Sequence, residues 1–371
     1  MKNVLVTGAS GFIGKNLTTA LKQMDGIALM QHDISDSTEV LEEYIKQADF
    51  VFHLAGVHRP PDEREFQTGN TGFTEQLLDI MDRCNYKETI VYSSSIQAVL
   101  NNPYGRSKKA AEEAITAWAE KNGSKAYIYR LTNVFGKWAR PDYNSVVATF
   151  CHNIACNLPI KISNPEQEIK FVYIDDVVEE FINALKGTPN MAQDGFCHIP
   201  RVFKISLAQL AETIRSFKKS RETVVLPDFS SDLIRFLYAT YTSYLDADNL
   251  EYAVEIKEDN RGWLAELLKS KSFGQIFISR TKPGIKRGNH WHHTKAEKFV
   301  VLEGKAVIKL MNLNGGDVIE IPVEGDNLKI VDIPAGYAHS IENTGHSDLV
   351  TLFYANEIFD KQKPDTYFAE V

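Results

Sequence analysis

Tyr104 and Lys108 stand four residues apart in Tyr104-Gly105-Arg106-Ser107-Lys108. On a helix, that spacing puts both side chains on one face. An ammonium beside a phenol lowers the phenol's pKa and eases proton exchange with a carbonyl or alcohol. Just upstream, Ser93-Ser94-Ser95 ends an apolar run, where a hydroxyl can hydrogen-bond the reacting oxygen. A tyrosine four residues before a lysine is common on plain helix surfaces, so the pair draws its meaning from its context. That context is Val4-Leu5-Val6-Thr7-Gly8-Ala9-Ser10-Gly11-Phe12-Ile13-Gly14, a strand, a glycine turn and a helix start. Gly8 and Gly11 let backbone approach a pyrophosphate, Gly14 lets helix pack on strand, and the helix N-terminus offers free N–H groups to phosphate.

A second group lies near the C-terminus. His290 and His292 alternate as they would along one face of a strand, Glu297 opens the next apolar run, and His339 follows Pro334-Ala335-Gly336-Tyr337-Ala338. Three imidazoles and a carboxylate make a nitrogen/oxygen site for one divalent transition metal, zinc first, with iron, manganese and nickel open. His293 and His346 are expected to be solvated. Asp259-Asn260-Arg261-Gly262-Trp263-Leu264-Ala265-Glu266 reads either as a plain turn with Arg-Gly at its tip or as a binding segment.

The elements that must position these residues follow from periodicity. Asn3–Thr7, Phe50–Ala55, Thr89–Ser93 and Ala126–Leu131 read as buried strands, and Lys15–Met24 and Ser107–Glu120 as helices. The alternation predicts a parallel sheet with helices on both faces. Helices are expected near Ser206–Arg221 and Ser231–Tyr244. Beyond Leu245 come short strand-like runs: Gln275–Arg280, Lys298–Leu302, Lys305–Met311, Asp317–Pro322, Lys329–Ile333 and Asp348–Tyr354. Two domains result, 1–245 and 246–371, the second all-β.

Composition narrows the function classes. The chain has 371 residues, more than one core usually supports. Its formal net charge of −8 argues against nucleic acid as a partner. No apolar stretch is long enough to span a bilayer, and the N-terminus does not read as a secretory signal. Cys84, Cys151, Cys156 and Cys197 have no metal or disulfide spacing, so reduced thiols in the cytoplasm are expected.

Residues 1 to about 240 resemble the extended short-chain dehydrogenases/reductases, most of which act on sugar nucleotides. The resemblance rests on Gly8-x-x-Gly11-x-x-Gly14, His53-Leu54-Ala55-Gly56, the Ser93–Ser95 run and Tyr104-x-x-x-Lys108. It continues through Arg130-x-x-Asn133-Val134-Phe135-Gly136 and Val172-Tyr173-Ile174-Asp175-Asp176. It implies a Rossmann-type doubly wound α/β fold, with Tyr104 as the acid, Lys108 lowering its pKa and holding the ribose, and Ser95, with Ser94 as the alternative, polarising the carbonyl. It places coenzyme against Gly8, Ser10, Gly11, Phe12, Ile13, Asp33, Leu54, Ala55 and Gly56, and sugar nucleotide against Asn133. Asp33-Ile34-Ser35-Asp36 is similar to the turn that contacts adenine. Two departures are a short gap between Ser95 and Tyr104 and a compressed segment before Phe50.

The second domain resembles the cupin barrels, with His290, His292, Glu297 and His339 at the ligand positions; Leu328 stands where the second motif has its usual glycine. The Asp259–Glu266 segment resembles that of cupins that epimerise deoxysugar nucleotides, which implies that Arg261 and Glu266 meet substrate. Both domains together are similar to bifunctional capsular-polysaccharide enzymes. That likeness implies a homodimer that epimerises C3 of a UDP-linked 4-keto-6-deoxy-N-acetylhexosamine and then reduces C4 with NADPH, toward UDP-N-acetyl-L-fucosamine. A single-activity reductase with a sugar-binding or dimerising cupin is the alternative.

Overall fold

The first sheet forms where apolar residues alternate between two covered faces. A computed structural model describes all residues, Met1–Val371. Strands β1 (Lys2–Thr7), β2 (Ile27–His32), β3 (Phe50–His53), β4 (Thr89–Ser95) and β5 (Ala126–Leu131) are all parallel, in the order β2-β1-β3-β4-β5. Val4, Val6, Phe50 and Phe52 point to one face, where Leu17, Leu21, Val177 and Phe181 pack on them. Leu5, Val51 and Ile90 point to the other, against Leu41, Leu77, Ile115 and Trp118. Helices Phe12–Leu21 and Ile174–Leu185 cover the first face. Thr38–Gln47, Phe73–Arg83 and Pro103–Asn122 cover the second. This is the doubly wound α/β arrangement expected. A small sheet follows, with β6 (Asn133–Phe135), β7 (Glu168–Tyr173) and β8 (Phe203–Ser206).

Two differences from the sequence reading lie beside the glycine turn. The first helix starts at Phe12, not Lys15, because the Lys15 N–H already donates to the Gly11 carbonyl. Strand β2 was not anticipated. Its Ala28-Leu29-Met30-Gln31 core favours helix intrinsically, and pairing along the whole of β1 overrides that preference.

The later part of the chain is built from antiparallel strands: β9 (Ile256–Asp259), β10 (Gly262–Ser270), β11 (Gly274–Thr281), β12 (Lys286–Trp291), β13 (Glu297–Glu303), β14 (Lys305–Asn312), β15 (Ile319–Glu324), β16 (Ile330–Ile333), β17 (Tyr337–Asn343), β18 (Leu349–Ala355) and β19 (Tyr367–Phe368). They form two sheets, β16-β13-β18-β11-β10-β9 and β15-β14-β17-β12-β19. Phe299, Val331 and Phe353 from one sheet pack with Ile308, Leu310 and Ile341 from the other. The six expected strands are present, within two residues at each end. Strands β9, β10, β17 and β19 were not foreseen. Leu264-Ala265-Glu266-Leu267-Leu268 in β10 reads as helix by propensity, yet β11 and β9 hold it extended.

The chain divides into two compact units. One comprises Met1–Ile214 and Arg235–Asp246, the other Arg215–Ile234 and Ala247–Val371. The division therefore differs from a single cut at Leu245. Arg215–Ile234 joins the second unit because the Lys269 N–H donates to the Val224 carbonyl and the Leu226 N–H to the Lys269 carbonyl.

Gly14 is packed too tightly to carry a side chain. A Cβ there would lie 2.1 Å from the Gly8 carbonyl oxygen and 2.8 Å from Ala9 Cα. Gly14→Ala is expected to destabilise this unit by about 1–3 kcal/mol through overpacking, read as a lower urea midpoint than wild type; an unchanged midpoint would contradict the packing assignment.

Candidate active site and metal centre

The glycine turn lies at the carboxyl end of β1, where the chain leaves for β2 on one side and β3 on the other. That is the crevice in which doubly wound sheets bind dinucleotides. Gly8 has φ +69°, and a Cβ on it would lie 2.7 Å from Ala55 Cα, so only glycine lets the turn close on the end of β3. The Gly8 N–H donates to the His32 carbonyl at 2.8 Å, and the Leu54 N–H to the Thr7 carbonyl at 3.2 Å. His53 is buried and spans Thr7 Oγ1 (2.9 Å) and Thr74 Oγ1 (2.8 Å). Burial, then the Lys108 charge, lowers its pKa to about 3, so it is a neutral strut.

A cavity of about 1130 Å³ opens beside this turn. Gly8, Ser10, Gly11, Phe12, Ile13, Asp33, Leu54, Ala55, Gly56, Ser95, Tyr104 and Asn133 all line it. Asn102 caps the helix Pro103–Asn122 by accepting from the Gly105 N–H at 2.7 Å, with Pro103 in the first turn, and so sets Tyr104 on the wall. Lys108, one turn on, is buried. Its Nζ donates to the Ser93 carbonyl at 2.9 Å and to Tyr92 Oη at 3.1 Å, and it lies against Gly56, 3.4 Å from where a Cβ would stand. Burial lowers its pKa to about 8, with Glu112 opposing.

Tyr104 departs from the expected electrostatics. Burial pushes its pKa up to about 12, against a Ser95 hydrogen bond that lowers it, and Lys108 does not figure among the causes. The phenol is therefore held protonated. Its hydroxyl lies 3.0 Å from His58 Nδ1. His58 was not picked out from sequence; it stands five residues beyond His53 with no recognisable spacing. Protein around the ring, then the Lys108 charge, lowers the imidazole's pKa, and the ring's exposure on the cavity wall limits that effect. The two serines separate by partner. Ser94 Oγ donates to Glu112 at 2.5 Å, and Glu112 also pairs with Arg130 at 2.7 Å. Ser95 Oγ accepts from the Gln97 N–H at 3.2 Å, and Ser95 is the serine close enough to Tyr104 to lower its pKa. Asn133 donates to the Lys170 carbonyl at 3.1 Å.

In the second unit, one donor atom each from His290, His292, Glu297 and His339 lies within 4.8 Å of the others. His290 and His339 are paired across β12 and β17, and Glu297 opens β13 in the facing sheet. His292 lies just past the end of β12 and not within it as expected. A bulge with Asn289 at φ 57° still brings both histidine rings to one side, 5.0 Å apart. His292 Nε2 and His339 Nε2 stand 3.4 and 3.2 Å from Glu297 Oε2. All three atoms are buried and none has a hydrogen-bond partner. Burial raises the Glu297 pKa, but His292 and His339 outweigh it and hold the carboxyl at about 2. An ionised buried carboxylate with three imidazoles fits a divalent cation.

Asp365 was missed as a functional residue. Its carbonyl oxygen lies 2.5 Å from His292 Nδ1 and fixes Nε2 as the free lone pair. Its carboxylate accepts from the His293, Thr294 and Lys295 N–H groups, so it clamps the C-terminal segment over the histidine loop. In sequence Asp365 stands in the short run Pro364-Asp365-Thr366, which has no spacing that ties it to the histidines. Arg261 and Glu266 lie outside the donor group. Arg261 pairs with Asp259 at 2.5 Å, and Glu266 with Lys269 at 2.9 Å and Lys257 at 3.0 Å. Arg287, also missed, has an unpartnered buried Nη2. Its pKa is lowered by burial and then by Arg261.

With this geometry, the relatives speak directly. The model of the NAD dependent epimerase/dehydratase family matches residues 4–195, and that of the polysaccharide biosynthesis C-terminal domain matches residues 257–367. The chain belongs to the NAD-dependent epimerase/dehydratase family. It is 43% identical to a UDP-2-acetamido-2,6-beta-L-arabino-hexul-4-ose reductase of Pseudomonas aeruginosa, over 99% of this chain and 98% of the relative. The crystal structure of the capsular polysaccharide assembling protein CapF from Staphylococcus aureus superposes with a TM-score of 0.93 at 44% identity, covering 100% of both chains. A Bacillus cereus UDP-glucuronic acid 4-epimerase covers 65% of this chain and 98% of its own, with a TM-score of 0.54 at 18% identity. It shares the fold. No helix is long and apolar enough to cross a membrane.

Asp365→Ala is expected to weaken divalent-metal binding by about 10–100-fold, because it frees the loop that carries His292. Competition with a chelating dye measures this, and unchanged affinity would remove Asp365 from the site.

Proposed function

We propose that this chain converts a UDP-linked 4-keto-6-deoxy-N-acetylhexosamine in two steps, C3 epimerisation in the second unit and C4 reduction in the first. The observation that carries the reading is Tyr104, a phenol held protonated on the wall of a cavity that the glycine turn also lines. The match of both units to a reductase of such a sugar, over nearly the whole chain, supports the substrate class.

When bound, the reduced nicotinamide supplies hydride to C4, and a divalent cation on the four donors supplies Lewis acidity to a substrate oxygen or ties the two sheets together. Ser95 donates to the C4 oxygen and holds the carbonyl toward Tyr104. As the oxygen gains negative charge, Tyr104 gives it a proton, and a pKa raised to about 12 keeps that proton in place until an alkoxide asks for it. Lys108, charged below about pH 8 and one helical turn from Tyr104, is the proposed holder of the coenzyme's ribose. Asn133, Arg261 and Glu266 are the proposed contacts to the sugar nucleotide. Zinc is the proposed metal, the cytoplasm the proposed compartment and a homodimer the proposed assembly, with reductase and epimerase parts at 1–245 and 246–371. The resemblance implies NADPH as hydride source; the residues at the ribose end bear on that choice below.

The test is incubation with the 4-keto sugar nucleotide in deuterated water. Deuterium should enter C3 without coenzyme, and reduced coenzyme should be consumed when added. No incorporation would overturn the epimerase reading and leave a reductase alone. Tyr104→Phe should abolish coenzyme oxidation, a loss of at least about 100-fold, and leave C3 exchange intact; loss of both would refute the division of labour.

A further inference from the structure

Strand β2 ends at His32, and Asp33 is the next residue, nineteen positions beyond Gly14. An acidic residue about twenty positions after the glycine turn, at the end of the second strand, is where an adenosine ribose with a free 2′-hydroxyl is bound. A ribose bearing a 2′-phosphate is met there by a cation instead. The compressed segment before Phe50 hid this position, because β2 was not recognised from sequence.

The geometry at Asp33 is specific. Its carboxylate accepts from the Ser10 N–H at 3.0 and 3.1 Å and from the Ser10 hydroxyl at 2.8 Å. These donors lie on the glycine turn at the edge of the cavity, where a 2′-phosphate would otherwise seek them. The Asp33 N–H in turn donates to the Asp36 carboxylate at 2.7 Å, which brings a second negative charge to the same rim. Both aspartates line the cavity. His32 offers no substitute cation: it is buried, stacked on Phe73, with both ring nitrogens unpartnered. The Gly8 N–H bond to the His32 carbonyl fixes the whole rim against the turn.

We infer that Asp33 reads the coenzyme as one with a free ribose hydroxyl, so that this chain prefers NAD(H) to NADP(H), against the NADPH implied by resemblance. The inference rests on the reductase reading above. A 2′-phosphate carries about −1.5 to −2 charge at neutral pH. It would have to displace a carboxylate from its donors and then lie beside two like charges, which costs several-fold to a thousandfold in affinity by order of magnitude. A ribose hydroxyl donates to the same carboxylate without disturbing it.

The experiment is equilibrium titration of the full-length protein with NADH and, separately, NADPH, followed by nicotinamide fluorescence in the absence of sugar. NADH should bind at least about tenfold more tightly, and the gap should narrow as salt is raised. Asp33→Asn should shrink the gap mainly by improving NADPH, and Asp33→Arg should invert it. NADPH binding as tight as NADH, or a ratio unmoved by Asp33→Arg, would overturn the inference and leave the reductase reading standing. Binding of neither coenzyme would overturn both.

Discussion

The first unit depends on one close backbone approach, that of the Gly8 turn to the end of β3 at Ala55. Any side chain at Gly8 would force them apart. The approach is locked by hydrogen bonds from Gly8 to His32 and from Leu54 to Thr7, so the ends of β1, β2 and β3 become one rim. Everything chemical hangs from that rim. Ser10 and Asp33 face each other across it. Gly56 follows Ala55 and lets Asn70 Oδ1 approach, 2.9 Å from where a Cβ would stand, with the Lys108 ammonium behind it. The helix that carries Lys108 also carries Tyr104. A loss of the glycine turn therefore displaces coenzyme site and acid together.

The second unit solves a different problem. Four donors must converge although they come from two sheets and a loop. Cross-strand pairing sets His290 against His339, and packing of the sheets brings Glu297 to them. Pairing does not set His292, which lies beyond its strand. Asp365 does, by clamping three successive N–H groups and turning the imidazole with its carbonyl. A buried carboxylate surrounded by unpartnered imidazole nitrogens is costly unless something cationic is shared among them. That cost is the physical case for a metal.

How much of this was legible in the sequence depended on whether the signal was local. The glycine turn, the serine run, Tyr104 and Lys108, and the four metal donors were all readable, because each sits in a short motif whose spacing maps onto one element. The antiparallel strands were readable where Gly and Asn punctuate them. Strands β2 and β10 were not, since their residues favour helix and only pairing makes them extended. Without β2, Asp33 had no place in the fold. Arg215–Ile234 groups with the second unit through bonds to Lys269, which no local pattern announces. His58 and Asp365 reach their partners across 46 and 73 residues, a separation at which spacing carries no information.

The two sites also differ in the kind of group they offer, and that difference matches the two steps proposed for the chain. A proton on C3 is acidic only while C4 is a carbonyl, since the carbonyl spreads the charge left behind. Stabilising that enolate calls for positive charge at its oxygen, which a cation held by a carboxylate and imidazoles would supply. Reducing C4 calls for the reverse, a proton delivered as the alkoxide forms, which suits a phenol kept protonated by burial. Reduction removes the carbonyl and with it the acidity at C3, so the second reaction fixes the outcome of the first. Separate units on one chain allow each environment to be set without compromise by the other.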